Sequence, residues 1–300
     1  SCDWNSKEIH VVGLDFDLEQ NQLNQLLTAQ QAKRKNRVAK IDQRLVELGH
    51  TGLIQYLEML PCVSYTRSHV ADFLVEKFFN RGLRFMQLTY NNQTPLAGGS
   101  YEKKDSGVSR FGEMVIEEMN RLGLIVDLSH AGRQTCLDAI EFSKKPVAIS
   151  HANPNFFHKS IRNIDDEVLK KLSNKNGFIG LSLYPYHLKN HGDCKIEEFC
   201  EMVKQLVNMM GEDSIGIGSD LCVNWPDEVV MWMRNGKWTK KIDYGESKDK
   251  NASWPKPVSW YSKPEDLSGL VSALITNGIN EKIVYKIAGL NWLNFMSNHF

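Results

Sequence analysis

The sequence has no long hydrophobic run, no excess of charge of either sign and no closely spaced cysteine pair. Its longest apolar stretches, such as residues 177–184, are far shorter than the roughly 20 residues that cross a bilayer. Lysine plus arginine and aspartate plus glutamate both number 36, which argues against binding nucleic acid or membranes through bulk charge. The 6 cysteines lack a C-x-x-C spacing, so free thiols in a reducing compartment are predicted.

The composition that is present is typical of a soluble globular protein. Hydrophobic residues make up 42% and charged residues 24% of the chain, which is enough apolar material for a large core. A length of 300 residues allows one large domain or two ordinary ones. The first residues, SCDWNSKE, are polar, so we predict no signal peptide and a cytoplasmic location.

The pattern of the chain changes near residue 80. Before that point, a short apolar strand is predicted over Ile9–Phe16, then helices over Leu18–Leu48 and Val70–Phe79, the last ending at Gly82 without a flexible linker. After it, short apolar runs alternate with helix-period segments, which indicates a parallel sheet covered by helices. The predicted strands are Arg84–Tyr90, Leu124–His130, Pro146–His151, Gly177–Tyr184 and Ser214–Asp220. The predicted helices are Arg110–Leu122, Arg133–Phe142, Asp165–Ser173, Ile196–Met210, Lys263–Thr276 and Glu281–Phe295.

Four of the predicted strands end on side chains that can take part in catalysis. They read MQLTY, IVDLSH, VAISH and GIGSD, and their last residues are Tyr90, His130, His151 and Asp220. In a β/α barrel the carboxyl ends of all strands meet at one face, which carries the active site. A doubly wound sheet places ligands only near its switch point. Polar ends on so many strands favour the barrel, with these four residues on one face.

These residue types indicate metal-assisted chemistry. His130 and His151 occupy equivalent positions on consecutive units, and two neutral imidazoles can share one zinc ion, although a lone histidine there is more often a core residue. The carboxylate of Asp220 could act as a general base, coordinate a metal, bind a substrate amine or cap a helix. Arg162 either binds a substrate carboxylate through two N–H groups or is a solvated loop residue. Tyr90 either polarises a carbonyl or packs at the rim.

From about residue 78 to 300 the sequence resembles the membrane (renal) dipeptidase family of zinc metallopeptidases. It carries, in order, GLRFMQLTYNNQTPLA, SRFGEMVIEEMNRLGLIVDLSH, KPVAISHANP, SIRN and IGIGSDLC. The resemblance implies a TIM-type barrel of the metal-dependent hydrolase kind with two zinc ions, in which His130 and His151 are ligands of one ion. It also implies that Arg162 holds the substrate carboxylate, and that Asp220 contacts the substrate amine and assists proton transfer. Tyr90 stands where many members have a substrate-contacting histidine.

The sequence departs from that family in its first part. The family's H-x-D metal pair and its zinc-bridging glutamate are not found there. Residues 81–300 are therefore expected to form an incomplete barrel that lacks its first strands. One zinc ion or none is expected, with impaired hydrolysis of dipeptides.

Residues 1–80 resemble instead the middle of a polymerase-and-histidinol-phosphatase (PHP) domain, from the branch that hydrolyses small nucleotides or RNA 5′ ends. The matching segments are EIHVVGLDFD, AQQAKRKNRVAKIDQRL and SYTRSHVADFLVEK. This resemblance implies that His10 is a metal ligand. The expected division is a PHP-like fragment of a strand and helices at 1–80, followed by the barrel at 81–300.

The leading interpretation is a zinc-dependent hydrolase that cleaves the peptide bond of dipeptides. Nucleic acid and membranes are not expected as partners, and a homodimer is a further expectation, since the tryptophan-rich stretch 225–260 suits either an oligomer contact or a loop over the barrel mouth. Two alternatives stay open. One is a PHP-type metal-dependent phosphoesterase, and the other is a non-catalytic barrel remnant.

Overall fold

The structure is a computed structural model that describes residues 8–11, 14–17, 74–223 and 254–299. Strands β1 (Glu8–Val11) and β2 (Leu14–Asp17) pair antiparallel. The single strand predicted over Ile9–Phe16 was therefore wrong, because the described residues of this stretch belong to two strands that pair with each other. The helix predicted over Leu18–Leu48 lies outside the described residues.

A five-stranded parallel sheet forms the centre of the described chain, and its strand order follows the sequence. It is not closed into a barrel within the described residues. Its strands fall on the five predicted apolar runs, with β5 extending one residue beyond its prediction. They are β3 (Phe85–Gln87), β4 (Ile125–Asp127), β5 (Ala148–Ala152), β6 (Phe178–Leu181) and β7 (Ile215–Ile217).

Helices follow the strands at nearly the predicted positions. They are α1 (Arg110–Leu122), α2 (Arg133–Phe142), α3 (Asp166–Asn174), α4 (Ile196–Met210), α5 (Leu267–Thr276), α6 (Glu281–Tyr285) and α7 (Asn291–Ser297). Local capping sets several boundaries: the side chains of Ser109 and Asp165 accept backbone N–H bonds at the starts of α1 and α3. The predicted helix Glu281–Phe295 is interrupted, because a π-helical turn over Lys286–Leu290 separates α6 from α7.

Gly82, which lies three residues before β3, ends a helix as predicted. Residues 74–80 are helical, and Gly82 follows with a φ of 102° and donates its N–H to the carbonyl of Phe79 at 2.9 Å. This left-handed conformation favours glycine. No helix within the described ranges is both long and apolar enough to cross a membrane.

Alternate residues of the strands pack into two separate cores. Met86, Val126, Ile149, Ile179 and Ile215 belong to the large core beneath the helices. The opposite face presents Phe85, Ile125, Ala148 and Phe178, which pack against Trp292, Phe295 and Met296 of α7. This alternation follows from the two-residue period of a strand. Both faces near the candidate site are therefore covered by apolar side chains, and the polar residues concentrate at the strand ends.

Candidate functional site

The structure places the predicted site residues at the carboxyl ends of the central strands. Tyr90, His130 and Asp220 each lie three residues beyond the end of β3, β4 and β7, and His151 is part of β5. All five strands are parallel, so their carboxyl ends share one edge of the sheet. At this edge the ring of His130 contacts the rings of both Tyr90 and His151.

His130 is buried and held on two sides. Its ring stacks on Tyr90 with centroids 4.0 Å apart, and its Nδ1 lies 2.7 Å from Oδ1 of Asn91. Asn91 has a left-handed φ of 62°, a conformation that asparagine tolerates better than most residues. Because an amide oxygen can only accept, Nδ1 of His130 carries the proton and its Nε2 presents a lone pair.

His151 is oriented by a bulge and by a serine. The pairing of β5 with β6 shifts register between Ile149 and Ala152, and such a bulge re-aims the side chains within it. Nδ1 of His151 lies 2.8 Å from Oγ of Ser150, and its backbone N–H donates to Oγ of Ser129 at 3.0 Å. The ring is therefore fixed from its Nδ1 side, with Nε2 pointing away from the strand.

The Nε2 atoms of His130 and His151 face each other at 3.0 Å. Two nitrogens bound to one tetrahedral zinc lie about 3.3 Å apart, given a Zn–N bond of about 2.0–2.1 Å. The pair therefore fits part of the ligand set of one metal ion. Within residues 74–223 and 254–299, no group of three or more histidine, cysteine, aspartate or glutamate side chains completes such a site. The described residues thus supply two ligands, one fewer than catalytic zinc normally takes from the protein.

Arg162 is brought to the same point. It is only 4% exposed, its Nη2 lies 3.1 Å from Nε2 of His130, and its Nη1 donates to the backbone carbonyl of Ser129. Because Arg162 is buried against His130, it is not the solvated loop residue that the sequence also allowed. Burial, reinforced by the charge of Arg162 and by the nearby imidazoles, holds the pKa of His130 well below its usual range. His130 is therefore a neutral potential ligand at physiological pH.

Arg162 also lines a cavity of about 350 Å³ that does not include His130 or His151 in its walls. Its walls include Ser100, Lys103, Arg133 and Asn155, together with Arg162 itself. Arg133 is paired with Asp165 at 2.7 Å. The cavity gives a small polar molecule room beside the buried guanidinium.

Two predicted residues have less structural context. Asp220 is half-buried and has a φ of 54°, which is unusual for a residue other than glycine. His10 lies in β1 opposite Asp15 in the antiparallel pair. The roles of Asp220 and His10 stay predictions.

The sequence did not single out several residues that support the site. Asn91, Asp127 and Ser150 hold the two imidazoles through hydrogen bonds, and His187 is buried with its Nδ1 2.8 Å from Oγ of Ser182. The signal for Asp127 was visible in IVDLSH, because a carboxylate inside an otherwise apolar strand must be hydrogen-bonded when buried. No comparable signal marked His187.

We expect His187 to make the stability of the chain depend on pH. Burial, followed by the charges of Arg162, His151 and His158, holds the pKa of His187 well below its usual value of about 6.5. The unfolded chain therefore binds a proton at His187 below about pH 6.5, and the folded chain does not. Stability is full above that pH and falls as the pH drops, by up to about 1.4 kcal/mol per pH unit while the folded group stays neutral.

Urea unfolding between pH 7.5 and 5 measures this effect. The free energy of unfolding of a His187→Gln variant should fall less steeply below pH 6.5 than that of the unaltered chain, whatever its absolute stability. Parallel pH profiles for the two chains would contradict the assignment of a neutral buried His187.

Comparison with known proteins identifies the family of the chain. The family description "Membrane dipeptidase (Peptidase family M19)" matches residues 18–228, which is well over half of the chain. The chain belongs to the membrane dipeptidase family. The match begins at residue 18, within the segment 1–80 that resembles a PHP domain in sequence. No comparison supports the PHP resemblance. The division of the chain at residue 80 stays a prediction.

Curated relatives of the membrane dipeptidase family are distant and longer. An uncharacterized dipeptidase of Schizosaccharomyces pombe is 30% identical over 153 residues, which cover 49% of this chain and 37% of that protein. A second uncharacterized dipeptidase of the same organism is 30% identical over 151 residues with the same coverage of both proteins. The chain thus spans well under half the length of the curated relatives that it matches.

Solved structures confirm the predicted fold class. An amidohydrolase from Pseudomonas aeruginosa is 31% identical, with a TM-score of 0.67, and the match covers 75% of this chain and 67% of that one. A metallo peptidase from Rhodobacter sphaeroides, liganded with a phosphinate mimic of the dipeptide L-Ala-D-Ala, has a TM-score of 0.61 at 21% identity, covering 77% and 60%. The second match shows the fold alone. The chain has the α/β architecture of the membrane dipeptidase barrel, and its described part is an open sheet.

Proposed function

We propose that this chain is a metal-dependent hydrolase of the dipeptidase type, with zinc as its metal and dipeptides as substrates. The observation that carries the proposal is the pair of facing Nε2 atoms of His130 and His151, 3.0 Å apart beside the buried guanidinium of Arg162. Membership of the membrane dipeptidase family supports the same chemistry. A related fold that holds a mimic of L-Ala-D-Ala supports a substrate of dipeptide size.

The proposed roles follow from the chemistry of each side chain. His130 and His151 would hold the ion, and a bound metal supplies an activated water and polarises the peptide carbonyl. Arg162 can offer two parallel N–H donors to the C-terminal carboxylate of a dipeptide. Asp220 is proposed to hold the free amine and to assist proton transfer, and Tyr90 to contact the substrate. Recognition of both charged ends would limit the substrates to dipeptides.

We expect fewer than two metal ions and slow turnover. The sequence contains neither the H-x-D pair nor the bridging glutamate that the family resemblance calls for, and the described residues contribute only two imidazoles to the cluster. Without a bridging carboxylate, a second ion has little to hold it. A hydroxide held by one metal lacks one of the two activators of a two-metal site.

Elemental analysis paired with two hydrolysis assays tests the proposal. The chain is incubated with zinc, dialysed and analysed for metal, then assayed with L-Ala-L-Ala, L-Ala-D-Ala and an aryl phosphodiester. Zinc near one equivalent with slow, zinc-dependent cleavage of a dipeptide supports the proposal. Cleavage of the phosphodiester alone would favour the phosphoesterase alternative. Absence of both metal and activity would support the alternative that the chain is a non-catalytic barrel remnant.

Two broader properties remain proposals. A cytoplasmic location is supported by the free thiols of Cys136, Cys194, Cys200 and Cys222, which suit a reducing compartment. A homodimer is proposed from the tryptophan-rich stretch 225–260 alone.

Replacement of Arg162 should affect metal and substrate in opposite directions. In an Arg162→Met variant we expect tighter zinc binding, because a positive charge 3.1 Å from a ligand nitrogen is removed. We also expect kcat/KM for a dipeptide to fall by about 30-fold to several thousand-fold, mainly through KM, since loss of one partner of a buried charge pair costs about 2–5 kcal/mol. Zinc titration and steady-state kinetics measure the two effects.

Arg133→Met is the matched control for this experiment. Arg133 lines the same cavity, but its partners are Asp165 and Glu167, away from the imidazoles. Both zinc affinity and KM should therefore stay close to those of the unaltered chain. An Arg162→Met variant with an unchanged KM would remove Arg162 from the substrate site.

A further inference from the structure

Asp127 is a buried carboxylate without a role in the proposed chemistry. It is the last residue of β4 and is 1% exposed. Its Oδ1 accepts the backbone N–H groups of Ser129 at 3.1 Å and Ser150 at 3.0 Å, as well as the hydroxyl of Ser129 at 2.6 Å. Its Oδ2 accepts the hydroxyl of Ser150 at 2.6 Å and Nε2 of Gln87 at 3.2 Å. Five donors thus converge on one carboxylate.

A count of protons determines the state of His151. Ser150 has one hydroxyl proton, and its Oγ lies 2.6 Å from Oδ2 of Asp127 and 2.8 Å from Nδ1 of His151. The shorter contact, to a carboxylate that has no proton to give, has the length of a charge-assisted hydrogen bond. Ser150 therefore donates to Asp127 and accepts from His151, which places the proton of His151 on Nδ1.

The Nε2 side of the ring does not decide the tautomer of His151. A proton on its Nε2 would point at Nε2 of His130, 3.0 Å away, whose lone pair already accepts from Nη2 of Arg162 at 3.1 Å. The Nδ1–H form instead leaves two Nε2 lone pairs facing each other, an arrangement that a cation between them would stabilise. The link from His151 through Ser150 to Asp127 therefore decides for Nδ1–H.

We propose that Asp127 is a positioning residue, which acts through Ser150 to hold His151 in the Nδ1–H tautomer with its Nε2 lone pair directed at His130. Asn91 holds His130 in the equivalent state through its amide oxygen. The proposal rests on the proposed function only in its consequence for metal binding. The tautomer itself is a property of the metal-free chain.

An Asp127→Asn variant gives a directional test. The two backbone N–H groups that face Oδ1 of Asp127 require an acceptor, so the amide oxygen takes that place and the amide nitrogen faces Ser150. The hydroxyl of Ser150 then accepts from the amide and has two acceptors left for its proton, Nδ1 of His151 at 2.8 Å and Oγ of Ser129 at 2.9 Å. Oγ of Ser129 already accepts the backbone N–H of His151, so donation to Nδ1 is favoured, which places the proton of His151 on Nε2 and leaves no lone pair there for a metal.

The experiment is ¹⁵N NMR of the histidine side chains of the full-length, metal-free chain at pH 8, above the ordinary pKa of histidine. Assignment comes from a His151→Gln variant. We expect Nδ1–H at His151 in the unaltered chain, Nε2–H in Asp127→Asn, and a loss of the Nδ1–H preference in Ser150→Ala. Gln87→Leu is the matched control, because it removes a donor to Asp127 but leaves both the Ser150–His151 link and the hydrogen bond from the backbone of His151 to Ser129. Its His151 should remain Nδ1–H.

Zinc titration of the same variants measures the consequence. Loss of a supporting hydrogen bond to a metal-bound histidine typically weakens metal binding 10- to 100-fold, so Asp127→Asn should bind zinc more weakly than Gln87→Leu by about that factor. An Nε2–H tautomer in the unaltered chain, or an unchanged tautomer in Asp127→Asn, would overturn the proposal. If Asp127→Asn does not fold, an unchanged tautomer in Ser150→Ala overturns it equally. Correct tautomers in a chain that binds no zinc would instead count against the proposed function alone.

Discussion

A chain in which both His130 and His151 are replaced by alanine is expected to lose zinc binding and with it the hydrolysis of dipeptides. The two Nε2 atoms, 3.0 Å apart, are the metal-facing donors that the described residues supply. Without them a weakly held single ion has no remaining imidazole ligand. Because the loss of a metal-activated nucleophile costs far more than the loss of one hydrogen bond, hydrolysis should fall to background even though Arg162 and Asp220 are intact.

The chain provides a control for the removal of two histidines. His158 and His191 also contact each other, with ring centroids 5.5 Å apart, but they are separate from the facing pair. A His158→Ala, His191→Ala variant should keep the zinc content and the activity of the unaltered chain. Zinc retained by the first double variant but lost by the second would move the metal site to the second pair. Robust turnover by the first would mean that other residues complete the active site.

The second large effect is expected at Trp292, which packs on the face of the sheet opposite the large core. Its ring packs on Phe178 with centroids 4.1 Å apart and edge-on to Phe85 at 5.8 Å, and its Nε1–H donates to the carbonyl of Ile217 at 2.9 Å. Trp292→Ala should lower the free energy of unfolding by about 3 kcal/mol, the lower end for loss of a packed tryptophan, because this side chain is only half-buried. Denaturant unfolding followed by far-ultraviolet circular dichroism measures the loss.

Two further variants separate packing from hydrogen bonding. Trp292→Phe keeps an aromatic ring but removes the N–H, and should cost about 1 kcal/mol or somewhat more. A Cβ added at Gly216 would lie 2.7 Å from two atoms of the Trp292 ring and 2.8 Å from Phe178. Gly216→Ala should therefore be strongly destabilising alone and less so in the presence of Trp292→Ala. Strictly additive costs for Gly216→Ala and Trp292→Ala would show that the ring does not occupy this space.

Much of the fold was predictable because the relevant information is local. The apolar runs and helical periods gave the five central strands and nearly all helices from residue 110 onward, and Gly82 was recognisable as a helix end. The errors lie where local pattern is ambiguous. The run Ile9–Phe16 reads as one strand but forms two, and the helix predicted at Glu281–Phe295 is broken at a π-helical turn that its apolar spacing does not reveal.

The residues at the strand ends of the candidate site were predictable from the sequence, but the residues that form hydrogen bonds with them were not. His130, His151, Tyr90 and Asp220 were found because strand ends of a parallel sheet converge. Their roles remain predictions, but the convergence of the first three is observed. Asn91, Ser150 and His187 gave no comparable signal, because their contacts depend on side-chain direction across elements that are distant in sequence.

The sequence by itself determined the α/β class, the order of the strands and the polar residues at their ends, since each depends on the spacing of apolar residues along a short segment. Only the tertiary structure decided that Arg162 is buried against His130, that Asp127 contacts His151 through Ser150, and that α7 packs through Trp292 on the face of the sheet opposite the large core. Such contacts join residues that are distant in sequence, 23 positions apart for Asp127 and Ser150, 32 for His130 and Arg162, and 75 for Ile217 and Trp292. The physical reason is that packing and hydrogen bonding select partners by distance in space, which no local pattern shows.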